Sequence, residues 1–133
     1  MSDATILLVD DDDDFATAVG AFLDAHGYGV LRAHSAAEGI ALARAERPAL
    51  VLLDVMMEDA TAGLRALDEM RRLPELAAMP IVVVSSIYAA IPGFRITADP
   101  RWLRHDGFLA KPVDLDELLR VVRTRLAPAE VSR

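Results

Sequence analysis

Five polar or charged residues stand directly after short apolar runs, and their types together indicate phosphoryl chemistry. They are Asp10, Asp11, Asp54, Ser85 and Lys111. Three carboxylates within about 5 Å of one another would repel by roughly 3 kcal/mol per pair at an effective dielectric near 20, so such a cluster needs cations. Lys111 can supply one cation, and a divalent ion is the natural second. Oxygen ligands select Mg²⁺, Mn²⁺ or Ca²⁺, and a Mg²⁺ site typically combines few carboxylates with several waters and a substrate phosphate.

Within such a site Asp54 can act as the nucleophile, because aspartate is able to carry a covalent phosphoryl group. A metal ion and Lys111 would neutralise the oxygens of the transferring group, and Ser85 would donate a hydrogen bond to one of them. The sequence has no glycine-rich phosphate loop of the P-loop type, which argues against a donor held as a bound nucleotide. A lone Asp after a strand can equally cap a turn, so the interpretation depends on the carboxylates meeting.

The elements that must bring these residues together are five predicted strands. Four are apolar runs at 4–9, 50–53, 81–84 and 107–110, typical of strands buried on both faces of a parallel sheet, and 28–33 can form a shorter strand. Helical patterns separate the strands, which predicts an α/β protein with helices on both faces of the sheet. The common order for five strands is 2-1-3-4-5, the flavodoxin-like doubly wound arrangement, in which strands 1 and 3 are neighbours. The acids after these two strands should therefore lie side by side.

Capping signals mark where the helices begin and end. The acids Asp12 to Asp14 suit a helix N-terminus, where carboxylates are favoured, and Gly27 is placed to end that first helix. Ser35 and Glu38 form a capping-box pair that opens a second helix, predicted to run through Glu46. The same pattern, Asp114 with Glu117, precedes a long amphipathic helix near the end of the sequence. Its apolar residues are Leu115, Leu118, Leu119, Val122 and Leu126.

The segment 87–106 breaks the otherwise regular alternation. Pro92, Gly93 and Pro100 interrupt any helical period there, so the fourth helix of the fold is predicted to be degenerate or replaced by a loop. The segment also holds many apolar residues for an exposed loop, among them Phe94 and Trp102. Such residues either fold back onto the core or form a surface for a partner.

Composition indicates one soluble domain over 1–133, with an ordered core of about 4–127. Hydrophobic residues make up 53% of the 133 residues, enough for a core, and there is no Cys for disulfides or thiolate metal sites. The net charge of -7 argues against direct nucleic-acid binding, which needs a basic stripe, and against anionic membrane surfaces. Without a signal-peptide pattern or an apolar run of roughly 20 residues, a cytoplasmic location is expected.

Four motifs give the sequence a family resemblance that covers nearly the whole chain. They are Ile6 to Asp12 (ILLVDDD), Leu50 to Met57 (LVLLDVMM), Pro80 to Ser86 (PIVVVSS) and Phe108 to Pro112 (FLAKP). In this order and spacing they resemble the receiver domain of two-component response regulators, of the stand-alone, single-domain type. The resemblance implies a signalling switch that is no enzyme beyond hydrolysing its own phosphoryl group.

The resemblance also implies a role for each matching residue. Asp54 would accept a phosphoryl group from a phosphohistidine on a sensor histidine kinase or a phosphotransfer protein. Asp11 would bind Mg²⁺, or Mn²⁺, directly and Asp10 mostly through water, with the backbone carbonyl of Met56 completing the protein ligands.

Lys111 would pair with the phosphoryl group, and two further residues would relay the signal. Lys111 matches the phosphate-pairing lysine and Ser85 the switch hydroxyl. Phe108 matches the aromatic residue that rotates inward as the hydroxyl moves, relaying the change to an unidentified downstream protein.

Besides the segment 87–106, one further departure from the family pattern and two alternative functions stay open at this point. Glu58 stands where the family usually has Pro, which adds negative charge near the site. The chain could be a binding module that keeps the fold without cycling, or the N-terminal regulatory domain of a longer regulator. A hydrolase of the aspartyl-phosphate type is disfavoured, because those enzymes use an Asp-x-Asp pair and the second position here is Met56.

Overall fold

Strands and helices alternate along the chain. The protein is described here by a computed structural model covering residues 4–54, 62–85, 107–110 and 113–126. Its elements are β1 (Thr5–Val9), α1 (Asp13–Ala25), β2 (Gly29–Ala33), α2 (Ala36–Glu46), β3 (Leu50–Leu53), α3 (Ala62–Arg72), β4 (Ile81–Ser85), β5 (Gly107–Ala110) and α4 (Leu115–Leu126).

The five strands form one parallel sheet in the order β2-β1-β3-β4-β5. This confirms the predicted flavodoxin-like α/β fold and strand order. Val9 is in register with Leu53, so β1 and β3 end level with each other at the centre of the sheet. The prediction of a degenerate helix concerns 87–106, which lies outside the described residues.

Helices cover both faces of the sheet, which explains why the central strands are apolar at every position. Leu7 and Val9 of β1 face the cluster formed with α2 and α3, whereas Ile6 and Leu8 face the cluster formed with α1 and α4. All four residues of β3 are buried in the same alternating way. A strand buried on both sides needs apolar residues throughout, and a continuous apolar run is its signature.

The predicted caps form at three helix starts. Asp12 accepts a hydrogen bond from the Phe15 N–H (3.1 Å) at the start of α1, and the Ser35 hydroxyl accepts one from the Glu38 N–H (3.2 Å) at the start of α2. At α4, Asp114 Oδ1 accepts from the N–H groups of residues 116 and 117 (2.8 and 3.3 Å). Gly27, with φ 91°, follows α1 as expected for a helix-ending glycine.

Among the residues whose burial the structure describes, Leu115 is a predicted core residue that is exposed. Leu115 was expected on the apolar face of the last helix, but it is 36% exposed, whereas Leu118 and Val122 are buried. Leu115 is the first residue of α4, immediately after its Asp114 cap. The apolar stripe therefore reaches the sheet from the next turn onward.

Candidate functional site

The ends of β1 and β3 position two carboxylates at the centre of the sheet edge. The N–H of Asp10 donates to the Ala33 carbonyl on β2 (3.0 Å), and the N–H of Asp54 donates to the Val9 carbonyl on β1 (2.9 Å). These bonds continue the pairing of the strands by one residue. The main chain at both acids is thus fixed by the sheet, and their side chains leave it at neighbouring points.

Three carboxylates meet at this edge, as predicted. One oxygen from each of Asp10, Asp11 and Asp54 lies within 4.8 Å of the other two. Asp10 and Asp54 are only 1% and 5% exposed, while Asp11 is exposed. Asp10 Oδ1 also accepts a hydrogen bond from the Asp12 N–H (2.8 Å). At an effective dielectric near 20, two charges at this separation repel by about 3 kcal/mol.

This donor set fits Mg²⁺ in its chemistry. All three side chains offer oxygen, which hard divalent cations prefer, and Mg²⁺ sites commonly use few carboxylates while the ion keeps several waters. The exposed position of Asp11 leaves one side of the cluster open to solvent. The burial of Asp10 and Asp54 keeps their charges poorly solvated, so a bound cation would interact with them strongly.

An arginine that was not predicted from the sequence contacts the loop carrying two of these acids. Arg32, on β2, donates from Nε (3.1 Å) and Nη2 (2.8 Å) to the Asp10 carbonyl, and from Nη2 (2.9 Å) to Asp13 Oδ1. Its side chain is 23% exposed. The sequence feature that could have indicated this contact is a basic residue one place before the end of a predicted strand. Arg32 is in register with Leu8 of β1 and lies on the same face of the sheet as this core residue.

The remaining predicted site residues are described only in part. Ser85 is the last residue of β4 and lies in register with Ala110, and Phe108 lies in register with Val83. Ser85 therefore lies at the end of β4, the strand next to β3, and Phe108 lies on β5, one strand further from β3. Met56 and Lys111 lie outside the described residues, as does Glu58.

Comparison with known proteins identifies the family. A family model described as the response regulator receiver domain matches residues 6–123. The chain belongs to this family. Receiver domains are in general signalling switches, not classical enzymes; they typically bind Mg²⁺ at an acidic cluster and interact with histidine kinases or phosphotransfer proteins and with downstream effectors.

Similar proteins include both short and longer chains. PilH of Pseudomonas aeruginosa is 33% identical to this receiver domain over 127 residues, which are 93% of this chain and 98% of PilH. The photosynthetic apparatus regulatory protein RegA of Cereibacter sphaeroides is 30% identical over 118 residues, 88% of this chain but 60% of RegA. A CheY-like receiver domain protein of Methanospirillum hungatei JF-1 has a TM-score of 0.81 at 25% identity, covering 99% of this chain and 100% of that chain.

None of the helices in the described part of this receiver domain is both long enough and apolar enough to cross a membrane.

Proposed function

We propose that this receiver domain is a phosphorylation-activated switch of a two-component phosphorelay, with Asp54 as the phosphoacceptor. One observation carries the proposal: Asp54 is buried at the end of a central strand, with its carboxylate within 4.8 Å of the carboxylates of Asp10 and Asp11. A structural turn cap needs no such cluster, whereas phosphoryl transfer to an aspartate needs a cation beside the acceptor.

A phosphohistidine can serve as the donor in the transfer step. An oxygen of the Asp54 carboxylate attacks phosphorus, the N–P bond breaks, and the imidazole nitrogen leaves with the electron pair and takes up a proton. The product is an acyl phosphate on Asp54. Hydrolysis by water breaks the new O–P bond, releases inorganic phosphate and restores the carboxylate.

The acids of the cluster would hold the Mg²⁺ that this family uses. Asp11 would bind the ion directly, Asp10 mostly through water, and Asp54 and the backbone carbonyl of Met56 would complete the protein ligands. The bound ion supplies charge neutralisation for the oxygens of the transferring group. Asp10, already held by the Asp12 N–H, would orient the water between itself and the ion.

The family resemblance assigns phosphate pairing to Lys111 and relay of the signal to Ser85 and Phe108. Lys111 would pair with the phosphoryl oxygens, Ser85 would move to donate a hydrogen bond to one, and Phe108 would rotate inward as Ser85 moves. The partners are a sensor histidine kinase or phosphotransfer protein upstream and a downstream protein, in the cytoplasm. The match to nearly all of PilH supports a stand-alone switch, and the partial match to RegA keeps the regulatory domain of a longer protein as the alternative.

Acetyl phosphate, a small phosphoryl donor, tests the proposal without the kinase. Incubation with Mg²⁺ followed by intact mass spectrometry is expected to add the mass of one phosphoryl group to the wild type. The adduct should be absent from Asp54→Asn and from wild type treated with a chelator. Asp24→Asn removes an exposed carboxylate of α1 outside the cluster and is expected to react like the wild type.

Two outcomes would contradict the proposal. An adduct that persists in Asp54→Asn would place the phosphoryl group on another residue. A wild type that acquires no adduct would favour the non-cycling binding module.

A further inference from the structure

Arg32 joins the end of β2 to the loop that carries Asp10 and Asp11. We propose that Arg32 is a positioning residue for the metal site, fixing the loop 10–13 so that the two carboxylates are held ready for the cation. This inference rests on the proposed function, because it assumes that the acidic cluster binds a divalent ion.

The contacts of Arg32 fix the loop at two points. Nε and Nη2 both donate to the carbonyl oxygen of Asp10, and Nη2 also reaches the carboxylate of Asp13 at the first residue of α1. Asp11 lies between these two attachment points. A planar guanidinium with its donors in a fixed fork restrains both orientation and distance, which a single flexible donor does not.

The position of Arg32 is unfavourable for a charge that would stabilise the helix dipole of α1. It lies beside the N-terminus of α1, where the helix dipole disfavours a positive charge. Its position on β2 is on the face that elsewhere holds the apolar side chains packed against α1. Its contacts are instead with the acidic loop, and the side chain is three-quarters buried in making them.

An electrostatic role and a positioning role of Arg32 predict opposite effects on metal affinity when Arg32 is replaced. A nearby positive charge repels a cation, so its removal should tighten metal binding if charge is all that matters. A positioning role predicts weaker metal binding. Without Arg32 the loop becomes ordered only when the metal binds, and this ordering reduces the binding free energy. The sign of the change therefore separates the two roles.

The test measures binding of Mn²⁺ to folded, metal-free protein from the electron paramagnetic resonance signal of the free ion. Arg32→Gln removes the charge and the fork, and Arg32→Lys keeps the charge but loses the fork. Both are expected to bind Mn²⁺ about tenfold more weakly than the wild type, at the lower end of the loss typical for residues that orient metal ligands. Arg44→Gln is the matched control. Arg44, in the last turn of α2, forms an ion pair with Glu75 (2.8 Å) away from the acidic cluster, so its substitution should leave the Mn²⁺ affinity unchanged.

A second measurement separates positioning from general damage to the fold. With saturating Mg²⁺, both Arg32 variants are expected to be phosphorylated by acetyl phosphate at the wild-type rate, because Arg32 acts on the loop and not on the phosphoryl group. A rate that stays depressed at saturating Mg²⁺ would overturn the proposal.

The affinities distinguish failure of this inference from failure of the proposed function. Wild-type affinity in Arg32→Lys, or tighter binding in Arg32→Gln, would overturn the positioning role while phosphorylation of the wild type leaves the switch intact. A wild type that neither binds Mn²⁺ nor accepts a phosphoryl group would overturn both.

Discussion

At the scale of single residues, the chain buries two carboxylates that a purely structural core would exclude. Asp10 and Asp54 are almost inaccessible, whereas Asp12 and Asp13 are exposed. Burying a carboxylate is costly unless it gains hydrogen bonds or a counter-charge. Asp10 receives the Asp12 N–H, and the guanidinium of Arg32 lies on the carbonyl of the same residue. These contacts hold Asp10 in place within a cluster of three carboxylates, which attracts a cation.

Glu38 predicts a pH dependence of stability. Its carboxylate accepts a hydrogen bond from the His34 N–H (2.8 Å), and this bond, more than any other contact, lowers the pKa of Glu38 below its usual 4.5. A lowered folded-state pKa contributes stability above the unfolded-state value, and this contribution is lost as pH falls through the folded-state pKa. The wild type is therefore expected to be more stable than Glu38→Gln at pH 7, with the difference shrinking as the pH falls below 4.5.

Urea unfolding at pH 7 and at a pH below 4.5 checks this prediction. Glu69→Gln removes the same charge from an exposed position on α3 and is the matched control. An equal difference between wild type and Glu38→Gln at neutral and acidic pH would show that ionisation of Glu38 does not contribute.

At the scale of elements, the approach of α2 to β1 depends on a glycine. A Cβ built on Gly39 would lie 2.9 Å from both methyl carbons of Val9, the buried residue that precedes Asp10. Alanine favours a helix over glycine by about 1 kcal/mol. Overpacking a well-packed core typically costs about 1–3 kcal/mol, so Gly39→Ala is expected to be destabilising on balance.

Gly20 offers a matched control in α1. A Cβ there would meet a methyl of Val30 at 3.7 Å, an ordinary contact, so Gly20→Ala is expected to stabilise by about 0.5–1 kcal/mol. Urea unfolding of both variants measures the two effects. If both substitutions stabilised the protein, the close packing of α2 on β1 would be disproved.

The elements were predictable from the sequence because each leaves a local signature. Residues 50–53 form β3 where the apolar run predicted it, and Ser35 caps α2 with Glu38 as its third residue. Leu115 was misplaced because helical periodicity does not say which turn first reaches the sheet. Arg32 was missed because its partner is a backbone carbonyl 22 residues away, and no side-chain pattern encodes such a contact.

The convergence of the acids was predictable for a different reason. A parallel sheet places the ends of neighbouring strands at one edge, so the strand order alone brought Asp10 and Asp11 to Asp54. The roles of Met56 and Lys111 stay predictions, because they depend on the paths of loops that a strand order does not define.

At the scale of the whole molecule, the acidic cluster links metal binding to global stability. Asp10 and Asp54 directly follow β1 and β3, so their repulsion acts on neighbouring strands whose residues belong to both hydrophobic clusters. Without divalent cations, Asp54→Asn is expected to raise the free energy of unfolding by roughly 1–3 kcal/mol, because it removes one charge from the cluster. Added Mg²⁺ should stabilise the wild type, by about 2.7 kcal/mol at a hundredfold excess over Kd, and stabilise the variant much less.

Urea unfolding with a chelator and with Mg²⁺ provides this comparison. Asp24→Asn lowers the net negative charge equally and should respond to Mg²⁺ as the wild type does. Equal stabilisation of Asp54→Asn and wild type by Mg²⁺ would contradict participation of Asp54 in the site.

The amide of Asp54 is bonded to the Val9 carbonyl, so the peptide at this position is anchored within the sheet. A chemical group added to the Asp54 carboxylate is therefore not expected to displace the main chain at this residue. A conformational change that follows the modification is instead expected to pass through neighbouring loops and side chains. The rigid centre would then serve as a fixed reference against which the periphery rearranges.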